Sequence, residues 1–133
     1  MATDSPLAAV QTYIDAFNVG DVDAMAAVFA DSASILDGMA PHLWHGANAT
    51  RDWYSDVLVE GEHLGASGYV VEIGDPLHNA ITGDSAYVVV PTTMTFDLRG
   101  KAITQTGAFF TVALHRSAEE WRIAAWAWTK GKQ

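Results

Sequence analysis

Hydrophobic residues recur every three or four positions through the first half of the chain, which is the spacing of one helical face. Ser5 and Pro6 suit the start of a first helix, and Asp21 can cap a second one. A third helix is predicted over residues 47–60, with Gly61 as its end. The inner faces would carry Leu7, Val10, Ile14 and Phe17, then Val22, Met25, Ala26 and Phe29, and finally Trp53, Tyr54, Val57 and Leu58.

The second half of the chain alternates between apolar and polar residues, which is typical of half-buried β-strands. Strands are predicted over residues 33–37, 69–73, 86–98, 102–116 and 121–129. Pro91 and Gly107 lie inside two of the long strands and indicate a bulge or an edge, with strong curvature. Residues 38–46, which are rich in turn-forming residues, are predicted to be a loop.

Three helices followed by long antiparallel strands predict an α+β fold in a single domain that spans residues 1–133. We expect the helices to pack on a strongly curved, mostly antiparallel sheet that forms a cone with an internal cavity. Half of the residues are hydrophobic, so the chain can form a core without disulfides. The cavity is the expected site for a small ligand.

The charge of the chain narrows the choice of partners, because 16 acidic and 7 basic residues give a formal net charge of −9. Such a surface repels the phosphates of nucleic acids and anionic membrane lipids, so we expect neither as a partner. The absence of cysteine excludes a disulfide framework, a thiolate nucleophile and a thiolate metal site. The N-terminal stretch MATDSPLAAV lacks the features of a secretory signal, and we expect a cytoplasmic protein.

Residues 10–38, VQTYIDAFNVGDVDAMAAVFADSASILDG, resemble the nuclear transport factor 2-like superfamily, which includes SnoaL-like polyketide cyclases, scytalone dehydratase and ketosteroid isomerase. The resemblance lies in a helix, an N-x-G-D turn and a second helix ending in F-A-D-x-A. Ketosteroid isomerase is the most similar member, and its pattern continues to about Leu58 through an H-G pair and W-Y-S-D. Later residues share only the strand order and the F-x-x-x-G turn from Phe96 to Gly100. The resemblance implies the same cone-shaped α+β fold.

The resemblance also implies catalytic residues for proton transfer. Asp37 matches the general base of ketosteroid isomerase, Tyr13 matches the tyrosine that donates to the oxyanion, and Tyr54 matches a tyrosine that supports the first one. From the residues alone, Asp37 followed by Gly38 is also typical of a turn after a strand. Tyr13 and Tyr54 are also typical of core residues with satisfied hydroxyl groups.

One part of the family's pattern is missing. The second oxyanion donor of ketosteroid isomerase, a protonated aspartate, falls near Ala108 or Phe109, and neither side chain can donate a hydrogen bond. A substitute would be Gln105, Trp126, Trp128 or a water molecule. This departure puts steroid isomerisation itself in doubt.

We expect aromatic residues and one histidine to line the cavity, namely Phe17, Trp53, His63, Phe110, Trp126 and Trp128. Trp126 and Trp128 share a strand face and would suit a flat ligand, although this pattern is equally typical of a core or a dimer interface. His42 and His45 form H-L-W-H without further ligands at a regular spacing, so we predict neither a metal site nor a cofactor. A histidine at the cavity mouth is an alternative acid or base.

Two functions are consistent with the sequence. The first is a cofactor-free enzyme of the isomerase, cyclase or dehydratase type that acts on a small apolar or aromatic ligand, with Asp37 as acid or base and Tyr13 as donor. The second is a non-catalytic ligand-binding or association module of the same fold. With either function we expect a homodimer through the outer sheet face, because the chain's own helices leave that face uncovered.

Overall fold

A computed structural model of the chain describes residues 4–131. These residues form three helices and seven strands. The helices are α1 (Pro6–Asn18), α2 (Val22–Ala27) and α3 (Ala49–Leu64). The strands are β1 (Phe29–Leu36), β2 (Leu43–Gly46), β3 (Ala66–Ile73), β4 (His78–Thr82), β5 (Ser85–Leu98), β6 (Lys101–Ser117) and β7 (Glu120–Thr129). Residues 1–3 and 132–133 of the predicted domain lie outside the described range.

The strands of residues 4–131 belong to one sheet with the order β2-β1-β7-β6-β5-β3, and β4 also pairs with β5. Neighbouring strands are antiparallel except β1 and β7, which run parallel. The three helices pack against the inner face of this curved, open sheet, and the apolar core lies between the two layers. The predicted α+β arrangement is therefore confirmed.

The curvature of the sheet has a local cause in β5 and β6. Between the pairs Thr92–Ala108 and Met94–Gln105, β6 contains one residue more than β5. The extra length is taken up at Gly107, whose φ of 74° lies in the left-handed region that glycine adopts at little cost. A bulge of this kind bends both strands and increases their twist, as expected from the sequence.

Pro91 lies where β5 changes its neighbour from β4 to β3. Its carbonyl oxygen accepts a hydrogen bond from the Gly74 N–H at 2.8 Å. Its nitrogen, which carries no hydrogen, lies on the same side of β5, where β4 has ended and β3 begins to pair. The proline therefore costs the sheet no hydrogen bond, although the strand continues through it.

The predicted end of the third helix at Gly61 is wrong, because α3 continues to Leu64 and is capped by Gly65. Gly61 instead lies buried against the start of β3. A Cβ atom on Gly61 would lie 2.8 Å from the carbonyl oxygen of Ala66. The glycine thus allows the helix and the strand to pack closely, and it does not break the helix.

Two strands were absent from the prediction, and two others began too late, including β3, which begins at Ala66 and not at residue 69. The predicted loop at residues 38–46 contains β2, and β4 was missed because its five residues are all exposed and show no alternation. The predicted strand at residues 33–37 begins earlier, at Phe29, and ends at Leu36, so Asp37 lies just beyond it. No helix in the described part of the chain is long and apolar enough to cross a membrane.

Asn18 joins the end of α1 to β3 at the edge of the sheet. Its amide nitrogen donates to the carbonyl oxygen of Val71, and its amide oxygen accepts from the Val71 N–H, both at 2.8 Å. Val71 is buried, so water cannot readily replace these two bonds. The asparagine side chain therefore pairs with the backbone of Val71 as a residue of a neighbouring strand would.

We expect Asn18→Ala to lower the free energy of unfolding by about 2 kcal/mol, because it leaves two buried backbone groups without partners. Asn18→Asp keeps the acceptor and loses the donor, so its loss should be at least half as large. Urea denaturation monitored by tryptophan fluorescence measures both changes. Gln11→Ala, at an exposed position of α1, is the control, and an equal effect in Gln11→Ala and Asn18→Ala would contradict the expectation.

Candidate active site

A cavity of about 580 Å³ lies between the helices and the inner face of the sheet. This volume falls within the range of small-molecule sites. Its walls come from α1, α3, the residues after β1, and strands β3, β5, β6 and β7. The aromatic and methionine side chains that line it are Tyr13, Phe17, Met39, Trp53, Tyr69, Met94, Phe96, Phe110, Trp126 and Trp128.

Asp37 lines this cavity directly after the end of β1. One carboxylate oxygen accepts a hydrogen bond from the backbone N–H of Gly38 at 2.7 Å, which is the turn contact that the sequence suggested. The other oxygen accepts from the indole N–H of Trp53 at 2.8 Å. These two donors orient the half-buried carboxylate, and its remaining lone pairs are available to a bound molecule.

Tyr13 lines the same cavity from α1, with 1% of its surface exposed. Its hydroxyl group accepts a hydrogen bond from the indole N–H of Trp126 at 3.1 Å and shares a second one with the Thr50 hydroxyl at 2.9 Å. Burial raises the pKa of the phenol well above its ordinary value of 10.0, and the nearby Asp37 carboxylate adds to this effect. Tyr13 is therefore a neutral phenol at physiological pH and retains a proton to donate.

The rings around Tyr13 form one packed cluster. Trp126 meets Trp53 edge to face with ring centroids 4.9 Å apart, and it lies 5.1 Å from the ring of Phe110. Tyr13 itself stacks on Phe110 at 6.2 Å. Because these contacts hold both indole rings, the hydrogen bonds that they donate to Asp37 and Tyr13 are fixed in direction.

The structure places Tyr54 and His63 away from these groups. Tyr54 faces a separate recess beside Gly20 and packs against Phe17, and Thr50 is the α3 residue that contacts the Tyr13 hydroxyl. His63 is exposed near the end of α3 and does not line the cavity, so its predicted place in the lining is wrong. Leu64 rather than His63 lines the cavity there, although 49% of its surface stays exposed.

The five other predicted lining residues do line the cavity, namely Phe17, Trp53, Phe110, Trp126 and Trp128. Ala108 is buried and Phe109 lies on the other side of the strand, and neither contributes to the lining. Of the predicted substitutes for the missing donor, Trp126 already donates to Tyr13, whereas Gln105 and Trp128 line the cavity.

No histidine lines the cavity. Across residues 4–131, no three histidine, aspartate or glutamate side chains converge as metal ligands. His45 shares a 2.7 Å hydrogen bond with Ser34 at the surface, and the ring of His42 contacts the backbone carbonyl of Asp37. The titratable groups that do line the cavity are Tyr13, Asp37, Glu60, Tyr69 and Lys130.

With this geometry established, a family model described as a SnoaL-like domain matches residues 7–127. The chain belongs to the SnoaL-like domain family. The match spans almost the whole described chain, and it confirms the resemblance to the nuclear transport factor 2-like superfamily.

Three solved structures illustrate how widely this SnoaL-like fold is shared. A ketosteroid isomerase-like protein from Erwinia carotovora atroseptica is 22% identical over 93% of this chain and 92% of its own, with a TM-score of 0.72. The hexachlorocyclohexane dehydrochlorinase LinA-type3 from Novosphingobium barchaimii is 12% identical over 93% and 85%, with a TM-score of 0.77. A nuclear transport factor 2-like protein with a cystatin-like fold from Novosphingobium aromaticivorans is 17% identical over 92% and 77%, with a TM-score of 0.70. At these identities the likeness concerns the fold alone.

Three contacts of this SnoaL-like domain were not foreseen from the sequence, namely the bonds from Trp53 to Asp37 and from Trp126 to Tyr13, and the bond between Thr50 and Tyr13. Trp53 was expected only as a lining residue. Nothing in the sequence indicated the contact of Thr50, because a threonine near the start of a helix is usually exposed or caps the helix. Both residues lie on α3, and only the packing of this helix against α1 and β1 brings them to their partners.

We expect the stability of the protein to fall as pH rises above about 10, because Tyr13 keeps its proton in the folded state while unfolded tyrosine loses it. The folded state then binds more protons than the unfolded state, and each pH unit costs up to about 1.4 kcal/mol until the folded phenol titrates. Denaturation between pH 9 and pH 12 measures this slope. Tyr13→Phe should lose most of it, and Tyr69→Phe should lose a smaller part, because burial also raises the pKa of the less buried Tyr69 phenol. Equal slopes in both variants would contradict the assignment.

Proposed function

We propose that this SnoaL-like domain is a small-molecule enzyme that transfers a proton within its apolar cavity, in a reaction of the isomerase, cyclase or dehydratase type. The observation that carries the proposal is the presence of an oriented carboxylate, Asp37, and a protonated buried phenol, Tyr13, in the lining of one cavity. A base and a hydrogen-bond donor are the two groups that proton abstraction beside a carbonyl requires.

In the proposed reaction, Asp37 takes a proton from the carbon next to a carbonyl group, and the electrons of the C–H bond move to the carbonyl oxygen to form an enolate. The protonated carboxyl group then returns the proton to the same carbon or to a conjugated one. The apolar walls strengthen each hydrogen bond to the developing charge, because the local dielectric is low. The reaction needs no further reactant, because the proton that Asp37 removes from the ligand returns to the ligand.

Tyr13 is the proposed donor to the enolate oxygen. Its hydroxyl group already accepts from Trp126, and its contact with Thr50 has no fixed direction. If Thr50 donates in that contact, the proton of Tyr13 is free to point at the ligand. Two donors to one phenol oxygen also make its own proton a stronger hydrogen-bond donor.

The names of the similar solved structures agree with this class of reaction in general terms, since they include a dehydrochlorinase and a ketosteroid isomerase-like protein. The non-catalytic alternative would use the same cavity for ligand storage or association. We favour the enzyme because Asp37 lies in the cavity lining with its carboxylate oriented by Trp53, which a surface turn would not require.

We expect the protein to accelerate the exchange of α-protons for deuterium in at least one member of a panel of flat ketones that includes 1-indanone, measured by proton NMR in deuterated water. Asp37→Asn should slow this exchange by about 100-fold or more, because the amide is not a base. It should change thermal stability only slightly, because the side-chain oxygen can still accept one of the two hydrogen bonds.

Asp56 supplies a matched control. Its carboxylate also accepts an indole N–H at 2.8 Å, from Trp44, and it is half-buried, but it does not line the cavity. Asp56→Asn should therefore keep the exchange rate of the wild-type protein. Binding of the ketones without any exchange would favour the non-catalytic module, and equal exchange in wild type and Asp37→Asn would remove the proposed base.

We also propose a homodimer formed through the outer face of the sheet. The strand registers put Phe109, Thr111 and Ala127 next to one another on that face, and each is only partly exposed. Tyr87, on the neighbouring strand, is 49% exposed. The patch formed by these four residues is small and apolar in character and contains no charged side chain, which suits contact with a second copy of the same chain.

Sedimentation at micromolar concentration should give about twice the chain mass of 14.3 kDa. Ala127→Lys should shift the protein to the monomer, since a buried ammonium group at a dimer contact lacks a partner. Ala47→Lys, in an exposed loop, should leave the mass unchanged. A wild-type monomer, or a dimer that persists in Ala127→Lys, would contradict this interface.

A further inference from the structure

Gln105 is a buried polar residue that the reaction described above does not use. Its side chain lines the cavity, and only 7% of its surface is exposed. It lies on β6, opposite Met94 of β5 and just before the bulge at Gly107. Within residues 4–131, no side-chain hydrogen bond holds its amide group.

An amide without a partner in the protein is placed to serve a ligand. The nitrogen and oxygen of Gln105 are not among the fully buried unpaired atoms of residues 4–131, so they reach the space of the cavity. Around it the cavity is lined by Met94, Phe96 and Phe110, which offer no polar atoms. Only water or a bound molecule can therefore pair with the amide, and a ligand group that does so gains a hydrogen bond that these apolar neighbours cannot provide.

We propose that Gln105 is the specificity-determining residue of the cavity and anchors a neutral oxygen-bearing group, a carbonyl or a hydroxyl, on an otherwise apolar ligand. The amide can donate through its nitrogen and accept through its oxygen, so both groups can pair with it. The proposal depends on the proposed function only in requiring that the cavity hold a small molecule, and it does not depend on Asp37 as a base.

The charges around the cavity favour a neutral group over an anionic one. Among residues 4–131, the lining includes the carboxylates of Asp37 and Glu60, whereas the one basic residue in it, Lys130, is exposed just after the end of β7. A carboxylate on the ligand would meet a lining with more acidic than basic groups, and the amide itself supplies no charge to balance it. The aromatic rings accommodate the apolar part of the ligand.

The test uses two probes of nearly the same shape, 1-indanone and indane, which differ by one carbonyl group. Isothermal titration calorimetry measures both dissociation constants. We expect wild-type protein to bind 1-indanone about three- to ten-fold more tightly than indane, which is the worth of one hydrogen bond. Gln105→Met, which keeps the volume and removes the amide, should lower this preference to the part that the Tyr13 hydroxyl group supplies.

Thr92 provides the matched control. Its hydroxyl group is also buried and without a hydrogen-bond partner, and it lies on the neighbouring strand opposite Ala108, yet it does not line the cavity. Thr92→Val should therefore keep the preference for 1-indanone. Gln105→Met should melt near the wild-type temperature, because its amide has no partner in the protein to lose, and Thr92→Val should melt up to about 3 °C higher, because it removes a fully buried unpaired hydroxyl group.

Three results would overturn the proposal: equal binding of the two probes by wild type, a preference in Gln105→Met equal to that of wild type, or binding of neither probe. A melting temperature of Gln105→Met well below that of wild type would also overturn it, because the amide would then have a structural partner. Asp37→Asn separates this proposal from the catalytic one. That variant should keep the preference for 1-indanone while losing deuterium exchange.

Discussion

The cavity exists because β5 and β6 cannot lie flat against each other. One extra residue in β6, accommodated by the left-handed backbone of Gly107, bends both strands near the middle of the sheet. The helices pack on the inner face of the sheet, and their side chains do not fill the whole space above its curved middle. The space that remains is lined mostly by rings and methionine side chains.

Because the cavity is mostly apolar, the few polar groups that line it decide its chemistry. Asp37 and Tyr13 are held by indole N–H groups of Trp53 and Trp126, whose own rings are fixed by packing. Gln105 has no such partner among the residues described. The site thus contains two groups that protein donors hold in place for chemistry on a ligand, and one amide that has no partner in the described part of the protein and is left entirely to a ligand.

Much of this arrangement was predictable from short-range patterns. The three helices, the long strands and the bulge near Gly107 follow from periodicity and from the positions of glycine and proline. The aromatic lining residues were found because alternate residues of a strand share a face. The exposed strand β4 gave no such pattern, and His63 was misplaced because one residue along a helix rotates a side chain by 100° and so moves it from the cavity to the solvent.

By itself, the sequence determined the class of fold, the curvature of the sheet and the presence of a carboxylate and a phenol at positions typical of the superfamily. Only the tertiary structure decided which groups support them, because Thr50, Trp53 and Trp126 reach their partners across 37, 16 and 113 residues of chain. Hydrogen bonds over such separations depend on how helices and strands pack, and that packing leaves no periodic trace in the sequence. The unpaired state of Gln105 is likewise a property of the assembled cavity, since a glutamine in a strand is unremarkable until its surroundings prove to be apolar.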